Sequence, residues 1–157
     1  MIKKQLLTIC LIFHYWIDCM IFDQIEHMIK TEYSLSGRDF IDVDNVDNYV
    51  NKIKNKAELI PHIVEGVCVG FIAFYANDET QENAFITMVM IRSDMRGRKI
   101  AGSLLTAVLE NLKSRGFKFC NLEVKENNVN AIKLYESLGF KIKNKKLKSV
   151  FMFKELF

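Results

Sequence analysis

The sequence is poor in the residues that mark special architectures. One proline and seven glycines among 157 residues exclude collagen-like, proline-rich and low-complexity chains. The four cysteines (Cys10, Cys19, Cys68, Cys120) stand far apart with no C-x-x-C pair, and only three histidines accompany them. That spacing argues against a metal site or a disulfide framework and for buried free thiols in a reducing compartment. Neither sign of charge dominates: 22 Lys and Arg face 19 Asp and Glu, a net charge of +3. A dedicated nucleic-acid binder carries a stronger basic bias, so no nucleic-acid partner is expected.

Long apolar runs are missing too. Leu6–Phe13 follows Lys3 and Lys4 like the start of a secretory signal, but His14 and Asp18 interrupt it and no small-residue cleavage site follows. The stretch is well short of the roughly 20 residues of a membrane span, so stable membrane insertion is not expected. Residues 1–19 read as an edge strand or helix of the domain, or as an extension upstream of a start at Met20. A membrane anchor is a third reading, and an apolar segment of this kind would also suit a homodimer contact.

What is present is the material of a core. Apolar residues make up 50% of the chain, with twelve Phe, and charged residues 26%. That balance and length fit one soluble domain, over residues 20–157. Phe22, Ile25, Met28 and Ile29 fall at helical spacing, and Ser34–Arg38 reads as a loop. Asp42 or Asp44 can cap a second helix with Val46, Val50 and Ile53 on one face. Leu59–Glu65 and Val67–Tyr75 read as strands joined at Glu65-Gly66. Ala84–Ile91 is an apolar run expected of a central strand buried on both faces, where Met88 and Met90 are core filler. Leu104, Leu105, Val108, Leu109 and Leu112 mark a helix over Ile100–Arg115, closed by Gly116. Phe117–Val124 is another strand, and Asn128 caps a helix through Leu138 that Gly139 ends. Phe140–Ile142 and Val150–Phe153 supply two last strands. The pattern predicts one α/β domain with a mixed sheet.

The chemistry concentrates after the central strand. Arg96-Gly97-Arg98-Lys99-Ile100-Ala101 runs directly into a helix, whose first turn offers unpaired N–H groups and a partial positive charge. Arg96, Arg98 and Lys99 add formal charge, and diphosphate is the ligand such a loop suits. The same loop would also serve as ordinary solvated surface.

This loop, the strand Leu122-Glu123-Val124, and Asn128-x-x-Ala131-Ile132-x-Leu134-Tyr135-x-x-x-Gly139-Phe140 follow in one order at tight spacing. Together they resemble the GCN5-related N-acetyltransferases, the GNAT superfamily, over about residues 58–157. The family's loop has the pattern R/Q-x-x-G-x-G/A. Arg96 and Ala101 match its ends, whereas Lys99 stands where a glycine is usual and Gly102 comes one residue late.

The resemblance implies a mostly antiparallel central sheet flanked by helices, with splayed central strands. It implies an acyltransferase that moves acetyl from acetyl-CoA, its co-substrate, to a primary amine by direct attack, with no metal. Val89, Met90 and Ile91 would meet the pantetheine and polarise the acetyl carbonyl. Arg96, Gly97, Arg98, Lys99, Ile100, Ala101, Gly102 and Ser103 would cradle the diphosphate, and Asn128 would contact the CoA arm. Tyr135 matches the tyrosine that protonates the leaving thiolate, and Glu123 a glutamate that serves some relatives as base. Simple core packing and a plain strand position are the bland alternatives for these two residues. Arg38, Tyr75 and Asn77 are the polar groups expected at the acceptor, a small-molecule or peptide amine. The expected compartment is the cytoplasm. A non-catalytic acyl-CoA-binding sensor, with Lys99 marking lost turnover, is the rival reading.

Overall fold

A computed structural model describes the backbone of residues 2–157 and the side chains of residues 19–157. The chain divides into two compact units, Met1–Lys54 with Ile63–Cys68, and Asn55–His62 with Val69–Phe157. Among the described residues no helix is long and apolar enough to cross a membrane.

The first unit is built on helix α1, Ile2–Ser36. The side chains of Leu6–Phe13, His14 and Asp18 lie outside the described residues. The helix runs through Ser34-Leu35-Ser36, which the sequence reading made a loop. The two serines are accommodated because Ser34 Oγ donates back to Thr31 O (2.7 Å) and Ser36 Oγ to the Glu32 carboxylate (3.4 Å). The break comes at Gly37, whose φ of 54° is left-handed, and a 3-10 turn follows at Gly37–Asp39. Helix α2, Val46–Lys56, is capped by Asn45, whose Oδ1 accepts from the Asn48 N–H at 2.9 Å. The expected caps, Asp42 and Asp44, instead hold Arg38, at 3.2 and 2.5 Å. Phe22, Ile25 and Ile29 of α1 and Val50 and Ile53 of α2 are buried. Lys30 bridges the two helices to Asp47 at 2.6 Å.

Six strands form one sheet: β1 (Glu58–Val64), β2 (Val67–Tyr75), β3 (Asn83–Ile91), β4 (Phe119–Lys125), β5 (Lys141–Lys146) and β6 (Ser149–Glu155), in the order β1-β2-β3-β4-β6-β5. The turn between β1 and β2 is Glu65-Gly66, with φ of 50° and 79°, the paired left-handed conformation that matches strand twist. β3 and β4 are parallel, so the chain must cross the sheet between them, and helix α3 (Ile100–Ser114) makes that crossing. Its Leu104, Leu105, Val108, Leu109 and Leu112 are all buried, with Ile86, Cys120, Leu122, Val124, Val150 and Met152 in the same core. Helix α4 (Val129–Ser137) follows β4, capped as expected by Asn128, which accepts from the Ala131 N–H at 3.2 Å.

The register between β3 and β4 carries the functional consequence. The pairs run Asn83↔Phe119, Ala84↔Cys120, Phe85↔Asn121 and Ile86↔Leu122, and then stop. β4 stays paired with β6 to its last residue, Lys125↔Ser149, and β3 stays paired with β2 to Gly70↔Ile91. The inner strands therefore part beyond Ile86, and the mixed, mostly antiparallel sheet has the splayed centre that the resemblance implied. A bulge marks the point. Met88 faces Ala73 and Ile86 faces Phe74, so Thr87 is the extra residue that turns β3. This also corrects the expectation of a strand buried on both faces. Ala84, Ile86, Met88 and Met90 are buried, but Phe85, Thr87, Val89 and Ile91 are half-exposed, and the last three lie past Ile86, where the strand has no β4 neighbour. Of the cysteines, Cys68 and Cys120 are buried and free as expected, whereas Cys19 is exposed.

Where β2 passes β3, a side chain in place of Gly70 would be crowded. A Cβ at Gly70 would lie 2.5 Å from Ile91 Cδ1 and 3.0 Å from Met90 O. Gly70→Val is expected to destabilise the fold by about 1–3 kcal/mol through overpacking. Urea unfolding checks this: the midpoint falls with little change in slope, and an unchanged midpoint would mean that β3 has room to move.

Candidate active site

The parting of β3 and β4 opens toward a cleft of about 860 Å³, lined by the end of β3 (Ile91), the following turn and loop (Met95, Arg96, Gly97, Lys99), the first turns of α3 (Ile100–Ser103, Thr106, Ala107, Glu110) and Leu134 and Leu138 at α4. Its size lies within the usual range for ligand sites, roughly 300–1,000 Å³. Met95 and Leu138 are lining residues outside the motifs, and Leu134 is a motif residue to which the sequence assigned no part in the site.

The loop is shaped for an anion. After Arg96, whose N–H bonds Ser93 O at 3.4 Å, the next backbone N–H to reach a carbonyl is that of Ser103, to Lys99 O at 3.1 Å. Among the described residues, the N–H groups of Gly97–Gly102 thus find no backbone acceptor, and they crowd the positive end of α3. Gly97 and Lys99 both take left-handed φ, 77° and 62°. The second value explains why a glycine suits this position: Lys99 holds a conformation that disfavours any side chain. Gly102, one residue late in the motif, is not required by space, since a Cβ there would make only an ordinary contact with Leu134 Cδ1 at 3.8 Å. Arg96 is a strut rather than a free cation. Its Nε donates to Ile91 O at 3.0 Å, fixing the loop to the end of β3 and occupying one carbonyl of the Val89–Ile91 stretch. Arg98 and Lys99 are exposed. The nearby acid Asp94 is held by Arg92 through both nitrogens (2.6 and 2.7 Å), which keeps its carboxyl below the usual range.

Tyr135 lies in α4 with its ring buried, edge-on to Phe140 at 5.8 Å between centroids. Burial pushes its phenol up from 10.0 to about 12. The fold therefore holds the neutral, proton-bearing form. The associated stability is complete below pH 10 and is lost as pH rises toward 12. Glu123 is exposed and is the first residue of β4 beyond the last β3 pair. Its neighbours Leu122 and Val124 point into the core under α3, so Glu123 is on the other face of the sheet.

Tyr75 shares that face. Burial raises its phenol, and a hydrogen bond with the Thr87 side chain opposes the rise. Thr87 was missed by motif reading, although a lone hydroxyl in the run AFITMVMI was the available signal. Asn77 is exposed in the turn after β2, where Asp78 organises the chain by accepting from the Thr80 and Asn83 N–H groups (3.0 and 2.9 Å). Asn128 spends its Oδ1 on the α4 cap. Arg38 belongs to the first unit, in contact with Asp42 and Asp44. The structure thus brings Arg96, Gly97 and Lys99–Ser103 together around the cleft, whereas Arg98, Val89, Met90, Asn128 and Tyr135 are not among its lining residues, and it puts Glu123 and Tyr75 on one sheet face.

Comparison with known proteins gives this arrangement its context. A family model described as Acetyltransferase (GNAT) family matches residues 22–140. The N-alpha-acetyltransferase MAK3 of Arabidopsis thaliana is 34% identical over 77 residues, which are 48% of this chain and 40% of that protein. The match thus spans less than half of the plant protein's length. The PaiA N-acetyltransferase from Thermoplasma acidophilum, solved in complex with coenzyme A, superposes with a TM-score of 0.69 at 13% identity, over 87% of this chain and 93% of that one. The ribosomal-protein-S18-alanine N-acetyltransferase from Escherichia coli gives a TM-score of 0.63 at 19% identity, over 71% and 77%. At these identities the structural likeness is one of fold.

Lys99→Gly removes a side chain from a left-handed residue. Relief of about 1–2 kcal/mol of local strain, less the greater freedom of glycine in the unfolded chain, is expected to stabilise the protein by up to about 1 kcal/mol. Thermal unfolding of the variant checks this, and a lower melting temperature would show that the Lys99 side chain contributes more than its backbone strain removes.

Proposed function

The chain belongs to the acetyltransferase (GNAT) family, and from that premise we propose that it transfers an acetyl group from acetyl-CoA to a primary amine by direct attack. One observation carries the reading: a β3 edge left bare by β4 runs into a loop of unpaired N–H groups at a helix N-terminus. An acyl-pantetheine arm with a diphosphate at its end matches both parts, the arm adding to the β3 edge like a strand and the diphosphate taking the N–H groups.

Acetyl-CoA supplies the thioester, which accepts the amine at its carbonyl carbon and releases the thiol. The chain's residues do the rest. The N–H groups of Gly97–Gly102 bind the diphosphate, with Arg98, Lys99 and Ser103 beside it, while Arg96 keeps loop and strand in register. The outward backbone of Val89–Ile91 lines up the arm, with the Asn128 side chain against it. Glu123, at the mouth of the parting, takes the proton that an ammonium must lose before it can attack. Tyr135 holds a proton at neutral pH and gives it to the departing sulfur. Tyr75 and Asn77 serve the acceptor. A covalent cysteine route is disfavoured, because burial pushes the Cys120 thiol up to about 12, far from the thiolate that such a route needs.

The test is thiol release from acetyl-CoA across a panel of amines with the full chain. Tyr135→Phe keeps the ring and removes the proton, and is expected to lower kcat about 100-fold while CoA affinity stays within about twofold. An unchanged kcat removes Tyr135 from the chemistry. Glu123→Gln is expected to lower kcat about 100-fold with CoA affinity unchanged. The alkaline side of the pH–rate profile should show no loss from Tyr135 below pH 10, since its phenol ionises only near 12. CoA binding without thiol release from any amine would select the rival reading of a binding module.

A further inference from the structure

The face of the sheet that carries Glu123 also carries an unusual charge pattern. Residues 141–148 read KIKNKKLK, with five lysines and no acid. Strand β5 is an edge strand, and lysines commonly guard such edges against pairing with another chain. Edge protection does not account for Lys125, which stands on the interior strand β4.

Register puts these groups in rows. Across β4, β6 and β5, one row reads Glu123↔Phe151↔Asn144, and the row two pairs further toward the open end reads Lys125↔Ser149↔Lys146. The rows share a face, because Lys146 Nζ sits over the Phe151 ring at 4.9 Å from its centroid. The parting of β3 and β4 opens toward this same end of the sheet, and the turn into β6 is tied there by the Glu126 N–H to Lys148 O at 2.9 Å. Lys145 lies on the other face beside Val150 and approaches Glu126 at 3.8 Å. Among the described residues Lys146 has no such carboxylate partner. A carboxylate and two ammonium groups therefore follow one another over a half-buried phenylalanine, with a spacing along the strand of about 7 Å for two residues.

Resting on the acetyl-transfer reading, we propose that the acceptor carries an anionic group close to its amine: the amine is taken at Glu123 and the anion by Lys125 and Lys146, with Phe151 as the floor between them. The charge order complements such a molecule. An ammonium is drawn to the carboxylate, and a carboxylate or phosphate a few bonds away is drawn to the lysines. A polyamine or basic peptide would instead place its second cation on two lysines. The shared chemistry has two sources, a small amine bearing a phosphate or carboxylate, or a peptide N-terminus followed by an acidic residue.

Matched acceptors separate the sources. Glucosamine 6-phosphate is compared with glucosamine, and a peptide beginning Ser-Glu-Glu with those beginning Ser-Gln-Gln and Ser-Lys-Lys, all by thiol release with the full chain. The anionic member of at least one set is expected to have a kcat/KM about tenfold or more above its neutral partner, mainly through KM. Lys125→Gln combined with Lys146→Gln is expected to bring that ratio close to one while CoA affinity is unchanged. Equal rates for the matched members, a preference for the lysine peptide, or a preference that survives the double substitution would overturn the proposal. Calorimetric binding of the same acceptors to CoA-loaded protein separates it from the catalytic reading. Tight binding of the anionic member with no thiol release sinks acetyl transfer and keeps the anion site, and equal binding of matched members sinks the anion site.

Discussion

The molecule's chemistry depends on one interruption in a hydrogen-bond ladder. Interior strands of a sheet satisfy their backbone on both sides, and a bare strand edge is ordinarily a hazard that proteins cover or charge. Here β3 and β4 pair through Ile86↔Leu122 and then separate, with the Thr87 bulge turning one strand away from the other. The outer pairs continue past the separation, so the gap is a slot between two paired strands rather than a frayed end. Gly70 allows β2 to follow the turned strand, since any side chain there would meet Ile91. The crossing helix α3, forced by the parallel pair, brings its N-terminus to the same place.

Slot and helix end are joined by a loop under tension between two demands. Closing the chain tightly before α3 requires left-handed residues at positions 97 and 99, and only the first is a glycine. Lys99 accepts backbone strain and in return puts a cation beside the free N–H groups. Arg96 does not compete for the ligand, because it is engaged with Ile91 O. Tyr135 illustrates the opposite arrangement. A phenol removed from water keeps its proton well beyond neutral pH, so the donor role proposed for Tyr135 rests on burial rather than on a neighbouring charge.

Much of this was legible in the residues. The leucine spacing of α3, the Asn128 cap, the β2 boundaries and the Glu65-Gly66 turn follow from local periodicity and turn chemistry, which the structure obeys. The three motif blocks carried the family and the loop. The misses share a cause: they depend on partners distant in the chain or on competing local bonds. Ser34 and Ser36 looked like turn residues but bond within α1, and Asp42 and Asp44 looked like caps but belong to Arg38. The parting of β3 from β4 leaves no mark in the run AFITMVMI beyond the single Thr87, since pairing is set by register with other strands. The lysines of β5 belong to no motif, and only strand register relates them to Glu123.

The central claim is that the bare β3 edge and the loop N–H groups are the binding surface for acetyl-CoA. Amide hydrogen exchange of the full chain, with and without acetyl-CoA, tests it directly. Fast exchange of the Gly97–Gly102 amides and of the outward-facing amides of Thr87–Ile91 is expected in the free protein, and strong protection of both sets on binding. Acetyl-CoA that binds while these amides exchange as before, with protection appearing elsewhere, would contradict it.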